Sequence, residues 1–218
     1  MCNFSTQTPY ISIEAQQGDD VCENEMVWIK KARHGDENAF TCLVDHYQKP
    51  IYSLCYRMLG NSKDAEDAAQ ESFIRAFLHL KKYDQNRSFA TWLLAIASHY
   101  CIDQIRKRQL PTISMEVIPD EIIGDRNTPD PESKIWETER ELLVQSLINQ
   151  LSPLDRAATV LRYWHQCSEV EIAETLNLSV SAVKSRLYRS RQTLAELWIT
   201  SSSESIPRER RPDESPAF

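Results

Sequence analysis

Apolar residues recur along the chain at the spacing of amphipathic helices. Phe40, Leu43, Val44 and Tyr47 lie at i, i+3, i+4 and i+7, and the same pattern resumes one turn later and stops at Gly60. Similar stripes cover residues 25–34, 62–80, 89–108, 134–150 and 153–164. Glycine is rare, and no run alternates as a half-buried strand would. The sequence therefore predicts an all-α fold.

Two of these stripes assign particular side chains to a core. In the stripe at 25–34, Met26 and Ile29 are expected to face inward. In the stripe at 62–80, Asn61 or Ser62 is expected to cap the helix. Its predicted inner face consists of Ala65, Ala68, Ala69, Phe73, Ala76, Phe77 and Leu80.

Three segments lack the helical pattern and divide the chain. Residues 111–133 contain four prolines and six acidic residues against one basic residue, which is typical of an extended acidic linker. Residues 1–22 are polar without a period, and residues 201–218 are rich in Ser, Pro and Arg, so both are expected to be disordered tails. The sequence thus predicts two small helical domains, at 23–110 and 134–200, joined by a flexible linker.

The second domain contains a predicted helix-turn-helix. Ser168 and Glu171 form a capping box, which marks the start of a short helix. Asn177 and Leu178 provide the turn, with Leu178 as a buried plug, and Ser179 caps the next helix. A turn this short crosses two helices steeply, as in DNA-binding proteins.

The second helix of this unit carries a cationic face. Between Val180 and Gln192 there are four basic residues and no acidic one, whereas the preceding helix is acidic. Such a face suits the DNA major groove, because Arg and Lys pair with guanine edges and phosphates. The alternative is a plain helical hairpin whose charged face is only solvated.

Composition limits the remaining possibilities. The formal net charge of −7 argues against a protein that coats nucleic acid by charge alone. The six cysteines form no C-x-x-C pair and are interpreted as small buried hydrophobes in a reducing compartment. No apolar run is long enough to span a bilayer, and no secretion signal is present, so a cytoplasmic location without membrane insertion is expected.

Three segments in this order resemble the extracytoplasmic-function (ECF) group of bacterial RNA polymerase sigma factors. They are DAEDAAQESFIRAF (64–77), FATWLLAIASHYCIDQIRKR (89–108), and LSPLDRAATVLRYW with EIAETLNLSVSAVKSRLYRSR (151–191). The resemblance covers about residues 25 to 200. It implies a non-catalytic specificity subunit that binds core RNA polymerase and directs promoter-specific transcription initiation.

The first segment resembles the region that docks on the clamp helices of the polymerase. The residues that this implies for core binding are Asp64, Asp67, Gln70 and Glu71. These outward, mostly acidic side chains could pair with an Arg-rich coiled-coil surface. From the residues alone, an ordinary solvated face is an equally good interpretation.

The second segment resembles the one that melts and reads the minus-ten element. In this family, the loop before it grips a base taken out of the stack, and its helix faces the single strand. The residues that this implies are Tyr83, Asn86, Arg87, His99, Arg106 and Arg108. Tyr83 could instead pack on the helix behind it, and the cations at 106–108 could serve only the helix C-terminus.

This helix departs from the usual family pattern at three positions. Where the family usually carries Arg, Arg and Asn, this chain has Ala95, Ser98 and His99. The side facing the strand is therefore expected to carry fewer cations. Trp92, in the same helix, is expected in the core rather than stacked on a base.

The third segment resembles the domain that reads the minus-thirty-five element. The residues that this implies for DNA binding are Ser181, Lys184, Ser185, Arg186, Tyr188 and Arg189. Lys184 stands where Arg is commoner, and an ammonium cannot make the bidentate contact of a guanidinium with guanine.

The resemblance also implies partners: core RNA polymerase, promoter DNA and an anti-sigma factor. In the family, the linker threads towards the active centre of the polymerase, although a solvated tether would explain its composition equally well. One rival hypothesis is an autonomous helix-turn-helix regulator that binds paired half-sites as a dimer. Another is a helical enzyme or adaptor, but no carboxylate pair, histidine cluster or Gly-rich phosphate loop stands out, so no catalytic residue, metal or cofactor is expected.

Overall fold

The described part of the chain is entirely helical. The computed structural model describes residues 18–109 and 131–204, with side chains for 25–109 and 140–200. These residues form α1 (Gly18–Arg33), α2 (Glu37–Leu59), α3 (Ser62–His79), α4 (Phe89–Gln109), α5 (Pro131–Asn149), α6 (Pro153–Tyr163), α7 (Glu169–Leu176) and α8 (Val180–Glu204). A 3₁₀ turn, Leu80–Lys82, follows α3, and no strand occurs within these ranges. The all-α prediction is confirmed.

The helices α1 to α4 form the N-terminal domain, with α2 packed against each of the other three. The Asp36 carboxylate accepts from Ala39 N at 3.1 Å and starts α2. This helix continues through Pro50 and ends at Gly60, whose φ of 85° is the left-handed conformation that favours glycine. Asn61 then caps α3, as one of the two candidates predicted.

The C-terminal domain comprises α5 to α8 and has the predicted helix-turn-helix. Both hydrogen bonds of the capping box between Ser168 and Glu171 are present. Asn177 ends α7 with a φ of 53°, and Ser179 Oγ accepts from Ala182 N at 3.2 Å to start α8. Local sequence signals therefore define this turn correctly.

The two domains also share one continuous core. On one side α4 packs against α2 and α3, and on the other against α6 and α7. The sequence predicted two domains joined by a flexible linker and did not indicate this contact, because the contact brings together residues far apart in the sequence.

Two core predictions were wrong in detail. Met26 is 54% exposed, because the buried stripe of α1 turns the other way, through Trp28, Ile29 and Ala32. Phe77 lies at the edge of the core and is exposed on one side, with its ring edge-on to Phe40 at 4.9 Å between centroids.

Three predicted boundaries were also too tight. The helix α1 begins at Gly18 rather than Glu25, and α5 begins at Pro131. The helix α8 continues through Glu204, beyond the predicted start of the tail. A helix that is already packed extends readily into polar residues, since adding residues to an existing helix is easier than starting one. The rest of the predicted tails and linker, 1–17, 110–130 and 205–218, lies outside the described residues.

The four cysteines with described side chains are buried or half-buried free thiols. Cys55 and Cys101 are fully buried, and a hydrogen bond from Cys55, together with burial, raises the pKa of Cys101 far above its usual range. Burial also raises the pKa of Cys167 to about 12. Their predicted role as small buried hydrophobes is confirmed, whereas Cys2 and Cys22 have no described side chains.

We predict that His165 makes stability depend on pH. Its Nε2 atom is buried without a hydrogen-bond partner among the described residues, and burial lowers its pKa from 6.5 to about 4. Between these two pH values His165 is protonated in the unfolded chain but neutral in the folded one. The free energy of unfolding therefore falls as pH drops from about 6.5 towards 4. Urea unfolding should show that His165→Gln removes about 2 kcal/mol of the loss between pH 7 and pH 5. An equal loss in both proteins would contradict this role.

Candidate nucleic-acid interface

One side of α8 presents the predicted reading face to solvent. Val183, Leu187 and Ser190 are buried and hold the opposite side against the domain. The exposed face carries Ser181, Lys184, Ser185, Tyr188 and Arg189. Since the capped turn fixes where α8 begins, these side chains project together from a rigid element.

Two of these side chains are held only by exposed contacts. Lys184 Nζ lies 3.6 Å from Glu169 Oε2 on α7, and both side chains are well exposed. The Tyr188 hydroxyl accepts a hydrogen bond from Gln192 Nε2 at 3.0 Å. Exposed pairs of this kind contribute little stability, so DNA groups can replace them at low cost.

Arg186, which is also predicted to contact DNA, lies beside this face and is held in an ion pair. Its Nη1 atom lies 2.8 Å from Asp155 Oδ1, and the two side chains are only 23% and 19% exposed. The other carboxylate oxygen of Asp155 accepts from Ser152 Oγ at 2.6 Å at the start of α6. Arg186 therefore ties α8 to α6. A sequence pattern cannot reveal this, because Asp155 lies 31 residues away.

In the loop before α4, Tyr83 is packed and is not available to a base. It is 5% exposed, and its ring centroid lies 5.4 Å from that of Phe89 and 5.0 Å from that of Trp92. Its hydroxyl donates to Arg87 O, which closes the loop. The alternative in which Tyr83 packs on the helix is thus the one observed. Trp92 is half-buried in this aromatic cluster and packs against the core, as expected.

The other two predicted loop residues are exposed. Asn86 uses its backbone N–H and its side-chain Nδ2 to bond Asp84 Oδ1, at 3.0 and 2.9 Å. The Arg87 side chain has no ion-pair partner among the described residues. The loop thus offers one guanidinium and one amide on a fixed backbone.

The side of α4 expected to face a strand is covered by α7 in this structure. His99 Nδ1 bonds Ala95 O at 2.8 Å, and its Nε2 lies 3.5 Å from Asn177 Nδ2. Ser98, which the family pattern places on the side facing the strand, is fully buried here. His99 lies at the edge of this contact and is partly exposed.

Arg108 was predicted to contact DNA and Asp64 to contact polymerase, but the two side chains form an ion pair with each other. Arg108 Nη2 lies 2.5 Å from Asp64 Oδ2, which joins the end of α4 to the start of α3. Burial raises the pKa of Asp64, but hydrogen bonds from Asn61 and Arg108 outweigh that effect and hold it below its usual range. Arg108 and Asp64 therefore have a structural role, whereas Arg106 is exposed without an ion pair within the described residues.

Among the four predicted docking residues, Asp67 and Gln70 are the most accessible. Both are exposed, and no ion pair or side-chain hydrogen bond involves either of them within the described residues. Glu71 instead pairs with Arg75 Nε at 2.7 Å, one turn along α3. These two uncommitted side chains form the polar part of an exposed stripe.

Two apolar residues continue this stripe and were missed from the sequence. Ile74 and Leu78 are 55% and 68% exposed, one and two turns beyond Gln70. Their spacing from Gln70 was the signal that could have identified them. Exposed apolar side chains beside polar ones are typical of protein-binding surfaces.

Within the ranges 25–109 and 140–200, no three His, Cys, Asp or Glu side chains converge as they would around a metal ion. Among the helices that the structure describes, none combines the length and apolar character needed to cross a membrane.

Two protein-family models match the chain, one in each domain. Residues 43–110 match Sigma-70 region 2, and residues 141–194 match Sigma-70, region 4. The first range includes α4 and the exposed stripe of α3, and the second includes the helix-turn-helix.

Curated relatives match over most of the chain. It is 38% identical over 179 residues to the ECF RNA polymerase sigma factor SigW of Bacillus subtilis, covering 76% of this chain and 92% of that one. It is 36% identical over 165 residues to SigE of Mycolicibacterium smegmatis, covering 74% of this chain and 62% of that one. It is 31% identical over 178 residues to the sigma-H factor of Pseudomonas aeruginosa, covering 79% and 92%.

Two solved structures share the fold. CnrH in complex with the cytosolic domain of CnrY matches with a TM-score of 0.61 and 24% identity, covering 81% of this chain and 98% of that one. RpoE in complex with the anti-sigma factor NepR from Bartonella quintana matches with a TM-score of 0.54 and 19% identity, covering 73% and 96%.

Proposed function

The chain belongs to the extracytoplasmic-function group of RNA polymerase sigma factors, and from this premise we propose which surfaces carry each part of that work. As a sigma factor it binds core RNA polymerase and promoter DNA. The N-terminal domain, 23–110, contacts polymerase and the minus-ten element. The C-terminal domain, 134–200, reads the minus-thirty-five element.

The exposed face of α8 is the observation that carries the DNA-binding part. Lys184 and Arg189 supply cations, while Ser181, Ser185 and Tyr188 supply hydrogen-bonding groups on the same side. A rigid helix with this face enters the major groove and contacts base edges and phosphates. Arg186 acts indirectly, by holding α8 at a fixed angle to α6.

Minus-ten recognition is assigned to the loop after α3 and to α4. Asn86 and Arg87 contact the unpaired strand from the loop, while His99 and Arg106 contact it from α4. Tyr83 supports these contacts from behind, because its packed ring and its bond to Arg87 O fix the loop. Stacking on an aromatic ring is therefore not part of this proposal for Tyr83.

Polymerase docking is assigned to the exposed stripe of α3. Asp67 and Gln70 provide its polar contacts, and Ile74 and Leu78 provide its apolar contacts. The mixed chemistry suits a protein partner, since apolar area gives affinity and charge gives orientation and on-rate.

The protein is a non-catalytic subunit that works in the cytoplasm with an anti-sigma factor as its regulator. Similar folds in complexes with CnrY and NepR support a regulator of this kind. The acidic segment 111–133, of which 111–130 lies outside the described residues, is assigned to the path towards the active centre.

Run-off transcription tests the function directly. Purified bacterial core polymerase is given a pool of upstream regions from the host, with and without this protein. Discrete transcripts are expected only when the protein is added, and their start sites locate both promoter elements. DNA binding without transcripts or polymerase binding would favour an autonomous regulator instead.

Docking on polymerase should depend on Asp67 and Gln70. The double variant Asp67→Ala, Gln70→Ala removes two exposed side chains, so co-purification with core polymerase should fall about tenfold while the fold is kept. The matched control Asp45→Ala, Gln48→Ala makes the same changes at exposed positions on α2. Equal polymerase yields from both double variants would exclude this surface.

Promoter discrimination should depend on Arg189. Arg189→Ala is expected to lose about 1–3 kcal/mol of discrimination between a mapped promoter and a minus-thirty-five mutant, measured by competition binding. Arg186→Ala on the same helix is the control, and it should lower thermal stability by about 1 kcal/mol while leaving discrimination nearly intact. The opposite pattern would place Arg186 rather than Arg189 at the bases.

A further inference from the structure

One acidic side chain of the helix-turn-helix is paired with the reading face of α8. Glu169, in the first turn of α7, places its Oε2 atom 3.6 Å from Lys184 Nζ. Lys184 lies between Ser181 and Tyr188 on the exposed side of α8, and the stretch 180–192 contains no acidic residue. Within the part of the chain that the structure describes, Lys184 is the only residue of this face in an ion pair. Glu169 therefore supplies a negative charge at an otherwise cationic surface.

The position of Glu169 beside α8 is fixed by its backbone. The capping box of Ser168 and Glu171 defines where α7 begins, and α7 packs against α8. Ile172 on α7 and Val183 on α8 are both fully buried in the core. The start of α7 and the residue after Val183 are thus held at a set distance by packing, and the ion pair does not have to hold them there.

The other two acidic residues of α7 do not pair with this face. The Glu171 carboxylate accepts from Ser168 N at 2.7 Å and is used by the capping box. Glu174 is exposed, and its side chain has no ion pair or hydrogen bond within the described residues. Glu174 therefore provides a matched comparison for Glu169, with the same charge on the same helix but no cation beside it.

A carboxylate beside this lysine changes what the lysine contacts on DNA. A lysine ammonium is a point charge on a flexible chain, and phosphate contacts supply nearly all of non-specific DNA binding. The carboxylate offsets part of that attraction and limits the freedom of the side chain. An ammonium has three N–H donors, so pairing with Glu169 leaves donors for the acceptors on a guanine edge. Because an exposed pair is weak, the expected effect is several-fold.

We propose that Glu169 is a specificity-determining residue, which holds Lys184 on the base-reading side of α8 and away from phosphates. The inference rests on the DNA-binding role proposed above for α8. An arginine would bring its own rigid fork to a guanine, whereas Lys184 obtains a fixed position from Glu169. Non-specific binding is weakened as a result, while contact with the correct base pair is kept.

A double-mutant cycle in the full-length protein tests this role. The variants are Glu169→Gln, Lys184→Gln and the two together, with Glu174→Gln as the matched control. Fluorescence anisotropy measures the binding of two labelled duplexes over a series of salt concentrations. One duplex carries the minus-thirty-five element of a mapped promoter, and the other has a random sequence. The ratio of their two dissociation constants measures discrimination.

Glu169→Gln should bind the random duplex about fivefold more tightly, because the freed Lys184 reaches a phosphate. Its plot of log affinity against log salt concentration should become steeper by about 0.9, the contribution of one phosphate contact. Affinity for the promoter duplex should stay nearly constant, so discrimination should fall about fivefold. In the Lys184→Gln background, Glu169→Gln should change neither the slope nor the discrimination. Glu174→Gln should match the wild type in both.

Three results would overturn the inference. One is unchanged discrimination in Glu169→Gln. Another is an equal gain in random-duplex affinity with and without Lys184, because Glu169 would then repel phosphates directly. The third is an equal effect of Glu174→Gln, which would show that only net charge matters.

The wild-type protein separates this failure from failure of the DNA-reading role of α8. A wild-type protein that prefers the promoter duplex, together with a Glu169→Gln variant that prefers it equally, contradicts only the role of Glu169. A wild-type protein without any preference contradicts the reading role of α8 and, with it, this inference. The random duplex requires no promoter, so the salt dependence reports on Lys184 in either case.

Discussion

The last carbonyl groups of α2 take their hydrogen bonds from the other half of the chain. Arg156 donates to Met58 O, and Gln145 donates to Arg57 O. A buried helix end without partners is costly, so α2 and the junction between α5 and α6 stabilise each other. Because α2 also packs against α3 and α4, this joint determines where α7 lies on α4. The limited accessibility of Ser98 and His99 on α4 follows from it.

The charged residues differ in how far the fold already uses them. Arg186, Arg108 and Glu71 are held in pairs of 2.5–2.8 Å with Asp155, Asp64 and Arg75. These pairs orient helices and are poor candidates for a partner that must displace one member. The uncommitted charges lie on α8, on the loop before α4 and on α3. A net charge of −7 is therefore compatible with DNA binding, because the available cations are local.

Features that depend on neighbouring residues were predictable from the sequence. The cap at Ser168, the left-handed Asn177 and the cap at Ser179 each follow from two or three adjacent residues. The stripes of α2 and α3 likewise fixed most of the core.

Features that depend on distant partners were not predictable. The bond from His99 to Asn177 spans 78 residues, and the bond from Arg57 to Gln145 spans 88. No local pattern distinguishes a buried Arg57 from an exposed Arg75. The ion pair of Arg186 with Asp155 was missed for the same reason, since the two residues lie 31 positions apart.

The buried Ser98 and the exposed face of α8 differ in what a ligand must displace to reach them. A ligand can reach the exposed face of α8 while the two domains keep their positions. A ligand of the side of α4 that carries Ser98 must first displace α7. Binding is therefore coupled to domain movement on α4 and independent of it on α8.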